Sequence, residues 1–152
     1  MRASQQFCTF FLDGHMFGTP VPKVQEVIQH QEMTRVPLAP EVVSGLINLR
    51  GQIVTAIDLR RRLGFGDRKD DALPVNVVVR TEDGPVSFLV DEIGDVIEVE
   101  EENFERAPET LQGPAGQLVR GVYKLANRLL VVLDTERAAD EAESLRTGNS
   151  YK

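Results

Sequence analysis

Apolar and polar positions along this chain alternate in short blocks separated by turn residues, a strand-like rhythm rather than a helical one. Residues 7–12, Phe-Cys-Thr-Phe-Phe-Leu, are apolar and β-prone, and Asp13-Gly14 follows them. Asp-Gly between two apolar segments marks a tight hairpin, because that turn needs positive φ at its centre. Residues 16–21 are the expected return strand. Pro20 and Pro22 limit ladder pairing, so this strand ends there or lies at a sheet edge. Residues 24–28 fit a short helical turn or another strand. Pro37 and Pro40 exclude regular helix from the loop 31–40.

Residues 42–49 and 53–57 form the next apolar pair, with Arg50-Gly51-Gln52 as a second hairpin turn. Ile47, Leu49, Ile53 and Ile57 are assigned to the core or to an interface. Asp58 is placed to cap a short helix over 59–63 that Gly64 ends. The charged stretch 64–72 reads as an exposed connection.

The second half repeats the rhythm. Strands over 75–80 and 85–90 flank the turn Thr81-Glu82-Asp83-Gly84, and Ile93, Val96, Ile97 and Val99 suggest a strand bent at Gly94. Residues 105–117 read as a loop, and 118–125 with 128–133 as a last hairpin around Ala126-Asn127. Asp134 is expected to cap a C-terminal helix reaching Leu145, before a frayed polar tail. Roughly nine or ten short strands with evenly spaced turns favour an all-β barrel or sandwich. The pattern leaves the pairing of strands between the two halves open.

A hydrophobic fraction of 41% over 152 residues is enough for an ordinary core, and at this length neither metal nor disulfide is needed for stability. A single cysteine, Cys8, excludes an internal disulfide and fits a reducing compartment. No secretory leader is recognisable behind Met1, and no apolar run approaches the ~20 residues of a membrane span. A formal charge of −7 argues against nucleic acid or an anionic membrane as the main partner. With no tryptophan, seven phenylalanines and two tyrosines, a base-stacking platform is not expected either.

Candidate chemistry is sparse. The sequence holds no Walker-type phosphate loop and no G-x-S-x-G elbow. His15 and His30 are far apart beside turns and read as solvated. Cys8 reads as a small buried hydrophobe. Arg60, Arg61 and Arg62 are expected on an exposed helix face, or as a docking patch for an acidic partner. Nine carboxylates between residues 91 and 109 (Asp91, Glu92, Asp95, Glu98, Glu100, Glu101, Glu102, Glu105 and Glu109) read as solvated surface or as electrostatic partner selection. Their spacing lacks the pattern of a calcium loop. No cofactor, metal ligand or catalytic residue is assigned.

Several stretches carry a resemblance. Phe-Phe-Leu-Asp-Gly-His-Met-Phe-Gly over 10–18 resembles the opening hairpin of the CheW family of bacterial chemotaxis coupling proteins. Lys-Val-Gln-Glu-Val over 23–27 is similar to the family's Val-x-Glu segment, and Thr-Arg-Val-Pro-Leu-Ala-Pro over 34–40 to its proline-bounded loop. Val-Ser-Gly-Leu-Ile-Asn-Leu-Arg-Gly-Gln-Ile-Val over 43–54, with Ile57-Asp58-Leu59, resembles its most diagnostic stretch. Residues 89–96, then Val-Arg-Gly-Val over 119–122 and the run 129–134, resemble the closing strands. Thr55 and Ala56 depart from a frequent Pro-Val pair.

The resemblance covers about 7–140. It implies one domain over 7–140 made of two SH3-like five-stranded β-barrels around a shared core, with 141–152 as the helix end and flexible tail. It implies a non-enzymatic cytoplasmic adaptor between the regulatory domain of the histidine kinase CheA and the cytoplasmic tip of chemoreceptors, recruited to membrane-bound arrays without inserting into the membrane. Other CheW-like modules are further implied partners, in a ring. Val24, Glu26, Gly45, Asn48, Arg50 and Gly51 stand at the matching positions. The bland readings are strand packing for Val24, a solvated carboxylate for Glu26, and backbone geometry for Gly45 and Gly51. Arg50 stands out because a turn does not require arginine. Two alternatives remain open: a coupling protein of a non-flagellar chemosensory pathway, and a small metal- or ligand-binding barrel enzyme using Asp91 or Asp95.

Overall fold

The structure, a computed structural model, describes residues 3–69, 72–107 and 114–140. The opening hairpin pairs β1 (Ser4–Leu12) with β2 (His15–Pro20). Its turn residues Asp13 and Gly14 have φ of 52° and 81°, the two positive values the tight turn demands. A 3-10 turn, Val21–Lys23, leads into β3 (Val24–Ile28), so that segment is a strand and not a helical turn. Next come β4 (Val43–Leu49) and β5 (Gln52–Asp58), and the helical turn α1 (Leu59–Arg62). The Asp58 carboxylate accepts from the Arg60 N–H at 3.0 Å, the expected cap.

The second half supplies β6 (Val75–Thr81), β7 (Gly84–Val90) and β8 (Glu92–Glu100). A second 3-10 turn, Glu101–Asn103, precedes β9 (Phe104–Arg106) and α2 (Pro114–Leu118). Then follow β10 (Val119–Lys124), β11 (Leu129–Leu133) and α3 (Thr135–Ala138). Asp134 caps α3 by accepting from the Arg137 N–H at 3.1 Å. The expected loop 105–117 therefore contains regular structure. β9 is three residues of Phe-Glu-Arg with no alternation to betray it, and α2 carries Pro114 and Gly116, both poor helix formers. The continuation of the last helix to Leu145, the tail 141–152 and Glu109 lie outside the described residues.

The strands form a six-stranded sheet, β8-β1-β2-β11-β10-β9, and a five-stranded sheet, β3-β6-β7-β5-β4. One barrel thus has six strands rather than the expected five, β9 being the addition. β2 lies inside its sheet between β1 and a parallel β11, not at an edge; Pro20 only ends it. Both sheets curl closed by the same device. β8 and β9 occupy opposite edges of one sheet, yet only the turn Glu101–Asn103 separates them in the chain. In the other, β3 is one edge and the chain just beyond it reaches the opposite edge. There Thr34 and Leu46 of β4 exchange both backbone hydrogen bonds, at 2.9 and 2.8 Å.

The halves are also exchanged. β1 and β2 complete a sheet otherwise built from β8 to β11, and β6 and β7 complete one otherwise built from β3, β4 and β5. Each half ends alike, with a bulged strand, a hairpin, a strand paired in parallel and an aspartate-capped helical turn. The chain passes between the sheets only at Val21–Lys23 and at Asp91 among the described residues. The largest core is shared: Phe10, Leu12 and Phe17 of one barrel pack with Ile57, Val77, Val79 and Phe88 of the other. Each barrel has its own smaller interior, Phe7, Tyr123 and Leu130 in one and Ile47, Leu49, Val54 and Val78 in the other.

Candidate functional site

Four of the six residues singled out in the sequence converge on one end of the five-stranded barrel. The β4–β5 hairpin closes through Arg50 and Gly51, at φ 52° and 88°. The Gly51 N–H donates to the Asn48 side-chain carbonyl at 2.8 Å, tying the turn to its own strand. The Arg50 guanidinium donates to the Glu26 carboxylate on β3, across the mouth of the barrel. Arg50 is 69% exposed and Glu26 only 21%, so the carboxylate is half-sunk and the arginine lies over it.

An arginine in the left-handed region costs on the order of 1–2 kcal/mol that glycine or asparagine would avoid. The turn did not select it. What arginine adds is a planar donor set able to hold one carboxylate and still present further donors to a second body.

The other two residues play different parts. Gly45 is buried in β4 where the register to β5 slips, and a Cβ there would stand 2.7 Å from the Thr34 carbonyl oxygen. Its absence of a side chain is what lets Thr34 close the barrel. Val24, half-buried, opens β3 opposite Val79 and packs against the shared core. Gly51 has open space around its Cα and is needed for its φ.

Of the residues expected in the core or at an interface, Ile53 is not in the core. It is 61% exposed, while Ile47 is 1% exposed and Ile57 fully buried. Ile53 has the parity of Ile57, whose face of β5 is covered by the other barrel. It sits at the hairpin end, where that cover stops. Its cross-strand partner is the exposed Asn48. Val27, next to Glu26 on β3, is also exposed. Ile53 thus leaves an exposed apolar side chain opposite Asn48, on the hairpin whose tip residue Arg50 reaches Glu26.

Of the arginines of α1, Arg61 is exposed as expected, while Arg60 and Arg62 are half-buried and depart from an exposed face. Arg60 turns inward, and its Nε donates to both oxygens of Asp91 at 2.9 and 3.1 Å. Arg68 Nε adds a donor to Asp91 at 3.1 Å, and the Asp13 N–H adds another at 2.9 Å. Arg62 donates to the backbone carbonyls of Arg137 and Ala138, and Arg61 to Asp67 and the Glu41 carbonyl. Burial pushes the Asp91 carboxyl up, but the hydrogen bonds from Arg60 and Asp13 and the charges of Arg60 and Arg68 outweigh it and hold the group below the usual carboxylate range. The same contact with Asp91 raises Arg60. Asp91 is therefore a joint between the barrels, with its lone pairs engaged by protein donors. No local sequence signal could have paired it with Arg60, which lies 31 residues away.

The remaining candidates are quieter. Cys8 is half-buried rather than buried, and burial pushes its thiol up, away from the reactive thiolate. His15 stacks on Phe65 at 5.9 Å between ring centroids. Glu98 accepts from the Ser4 hydroxyl, and Glu105 pairs with Lys124 at 3.4 Å, so part of the acidic run is engaged within its own barrel. Among the described residues no group of three or more His, Cys, Asp or Glu is arranged to hold a metal, and no helix is long and apolar enough to cross a membrane.

The chain is similar to known proteins over most of its length. The CheW-like domain family matches residues 6–143. The chain is 31% identical over 144 residues to the chemotaxis protein CheW of Bacillus subtilis, covering 95% of this chain and 92% of that one. It is 30% identical over 148 residues to the chemotaxis protein CheW of Klebsiella aerogenes, covering 97% and 89%. The crystal structure of the scaffolding protein TtCheW from Thermoanaerobacter tengcongensis superposes with a TM-score of 0.81 at 26% identity, covering 91% of this chain and 92% of that one.

Proposed function

This chain belongs to the CheW-like domain family, and on that premise we propose that it is a non-catalytic coupling protein that holds the histidine kinase CheA beside the cytoplasmic tips of chemoreceptors and passes receptor state to the kinase. It is a chemotaxis scaffold of the CheW type. The observation that carries the finer reading is the surface at the mouth of the five-stranded barrel. Glu26 and Arg50 are locked together there beside the exposed Ile53 and Asn48. Such an arrangement recognises a protein surface through apolar contact, with charged groups setting register.

The module spans 7–140 in this reading, and its site consists of Val24, Glu26, Gly45, Asn48, Arg50 and Gly51. Arg50, Glu26 and Asn48 face the partner. Gly45 and Gly51 shape the hairpin that presents them. Val24 leads β3 out of the crossover between the barrels. A receptor tip, being a helical bundle, would lay one face into a groove beside the barrels. The kinase's regulatory domain, or another CheW-like module, would pair barrel end to barrel end, and two distinct ends per module permit a ring. The site of action is the cytoplasm, at receptor arrays. Coupling needs no chemistry in the adaptor, only a bias between two kinase conformations.

The test is co-purification of the chain with a CheA regulatory domain and with a receptor signalling fragment, each alone and both together. Binary binding to each and a ternary complex are expected, without nucleotide or metal. Failure to bind either partner at micromolar concentrations overturns the reading.

A further inference from the structure

Between the barrels the chain makes its first crossing at Val21–Lys23 and enters β3 irregularly. Val24 pairs with Val79 and Glu26 with Val78, so two successive steps on β3 oppose one on β6 and Gln25 is the extra residue of a bulge. Bulges re-aim side chains, and this one lies between the two β3 residues of the proposed partner site. A bulge beside a crossover is also a weak point, since ladder bonds are interrupted on one side and the chain leaves the sheet on the other.

One side chain spans this point. Arg80, at the end of β6, donates through Nη1 to the Val24 carbonyl at 2.8 Å and to the Pro22 carbonyl at 3.2 Å. The two hydrogens of a single guanidinium nitrogen thus hold the 3-10 turn and the first residue of β3 together. The acceptors are main-chain atoms, so what is fixed is the path of the backbone from Pro22 to Val24. Two residues on, across the bulge, stands Glu26, which receives Arg50.

Arg80 itself is exposed and lies outside the six site residues. A solvated β-strand position next to a turn does not require arginine, and here the guanidinium donates to two main-chain carbonyls.

We propose that Arg80 is a positioning residue of the partner-binding surface: by clamping the Pro22 and Val24 carbonyls it holds the β3 bulge in the register that presents Val24 and aims Glu26 at Arg50. This deepens the coupling function proposed above and rests on it. Arg80 touches no partner in this account and acts through β3. Lysine keeps a charged nitrogen with three N–H donors but not the fixed guanidinium plane; alanine serves neither carbonyl.

The experiment compares wild type, Arg80→Lys and Arg80→Ala in three measurements: thermal unfolding, amide hydrogen exchange, and binding to the CheA regulatory domain and to the receptor fragment. Expected for Arg80→Ala are a melting temperature within a few degrees of wild type, faster exchange confined to residues 24–28, and about tenfold weaker binding to at least one partner. Arg80→Lys should recover part of the binding loss. Combining Arg80→Ala with Arg50→Ala should cost less than the sum of the two, because both act through Glu26.

Wild-type binding with an unchanged Arg80→Ala variant overturns the inference alone. So does a binding loss that lysine does not relieve, or one that scales with a general loss of stability and exchange protection. Absence of wild-type binding overturns the proposed function and this inference with it, and unchanged exchange at 24–28 would show separately that Arg80 does not hold the bulge.

Discussion

Arg50 at the tip of the β4–β5 hairpin and Glu26 on β3 hold each other across the mouth of the five-stranded barrel, linking the two strands at the sheet's edges, β3 and β4. The pair therefore does two things at once. It straps the barrel's rim, and in the proposed function it presents a charge to the docking partner. A single substitution confounds the two roles, and a charge exchange separates them.

Arg50→Glu places two carboxylates together at the rim. Partly exposed pairs contribute about 0.2–1 kcal/mol, so the stability loss should be of that order, visible as a small shift in the denaturation midpoint. Binding to the kinase domain or the receptor fragment should fall by on the order of 2–5 kcal/mol if the arginine meets an acidic partner. The exchange Glu26→Arg with Arg50→Glu should restore the stability and not the binding. Recovery of both would mean the pair acts only as a strap, and would remove Arg50 from the contact surface.

Gly45→Ala tests the closure of the barrel. The added methyl would sit 2.7 Å from the Thr34 carbonyl oxygen, and that oxygen is backbone already bonded to Leu46. Something must shift, at a cost of about 1–3 kcal/mol. Denaturant unfolding should show that loss, and the Leu46 amide should lose exchange protection ahead of β6 and β7. Full stability in the alanine variant would mean the Thr34 bridge is dispensable.

Asp91 supplies the pH dependence. Its carboxyl is held below the usual carboxylate range in the folded chain, so folding favours the ionised form. That contribution is fully present above the unfolded-state value of ~3.9 and is lost as pH falls through the lowered folded value. Asp91→Asn should cost about 3 kcal/mol at neutral pH, because it removes a charge hydrogen-bonded to Arg60 and Arg68 in a largely buried site. The gap between wild type and variant should stay constant from pH 7 to about 5 and close below about 4. A gap that widens in acid, or none at neutral pH, would contradict the joint described here.

What was legible in the sequence follows from how local its cause is. Asp13-Gly14 and Arg50-Gly51 announce their turns because positive φ is a property of the turn residues themselves. Asp58 and Asp134 announce α1 and α3 because a cap reaches only two or three residues along the chain. The exchange of halves was not legible, since apolar alternation states which face is buried and not which strand lies alongside. The inward turn of Arg60 depends on Asp91, and closure of the rim on Glu26 meeting Arg50; both are contacts between separate elements. β9 owes its strand geometry to pairing with β10, because its own residues alternate nothing. Of the site, the motif residues were found by resemblance. The exposure of Ile53 required knowing where the second barrel stops covering β5.

Ile47 and Ile53 make the sharpest contrast on one hairpin. They lie on adjacent strands at the same end of the barrel, one 1% exposed and the other 61%. Ile47→Asp would put a carboxylate into the apolar cluster of Leu49, Val54 and Val78. The cost should be several kcal/mol, enough to unfold a marginal domain. Ile53→Asp leaves the buried interior intact and should change stability by about 0.5 kcal/mol or less. If the proposed function holds, its effect should fall on association instead, because an exposed apolar side chain of the proposed docking surface is replaced by a solvated charge opposite Asn48. Thermal unfolding of both variants, followed by binding of Ile53→Asp to the kinase domain and the receptor fragment separately, reads the difference. If Ile53→Asp keeps wild-type affinity for both, the mouth of the five-stranded barrel is not the docking surface, and the exposed isoleucine has no role in coupling.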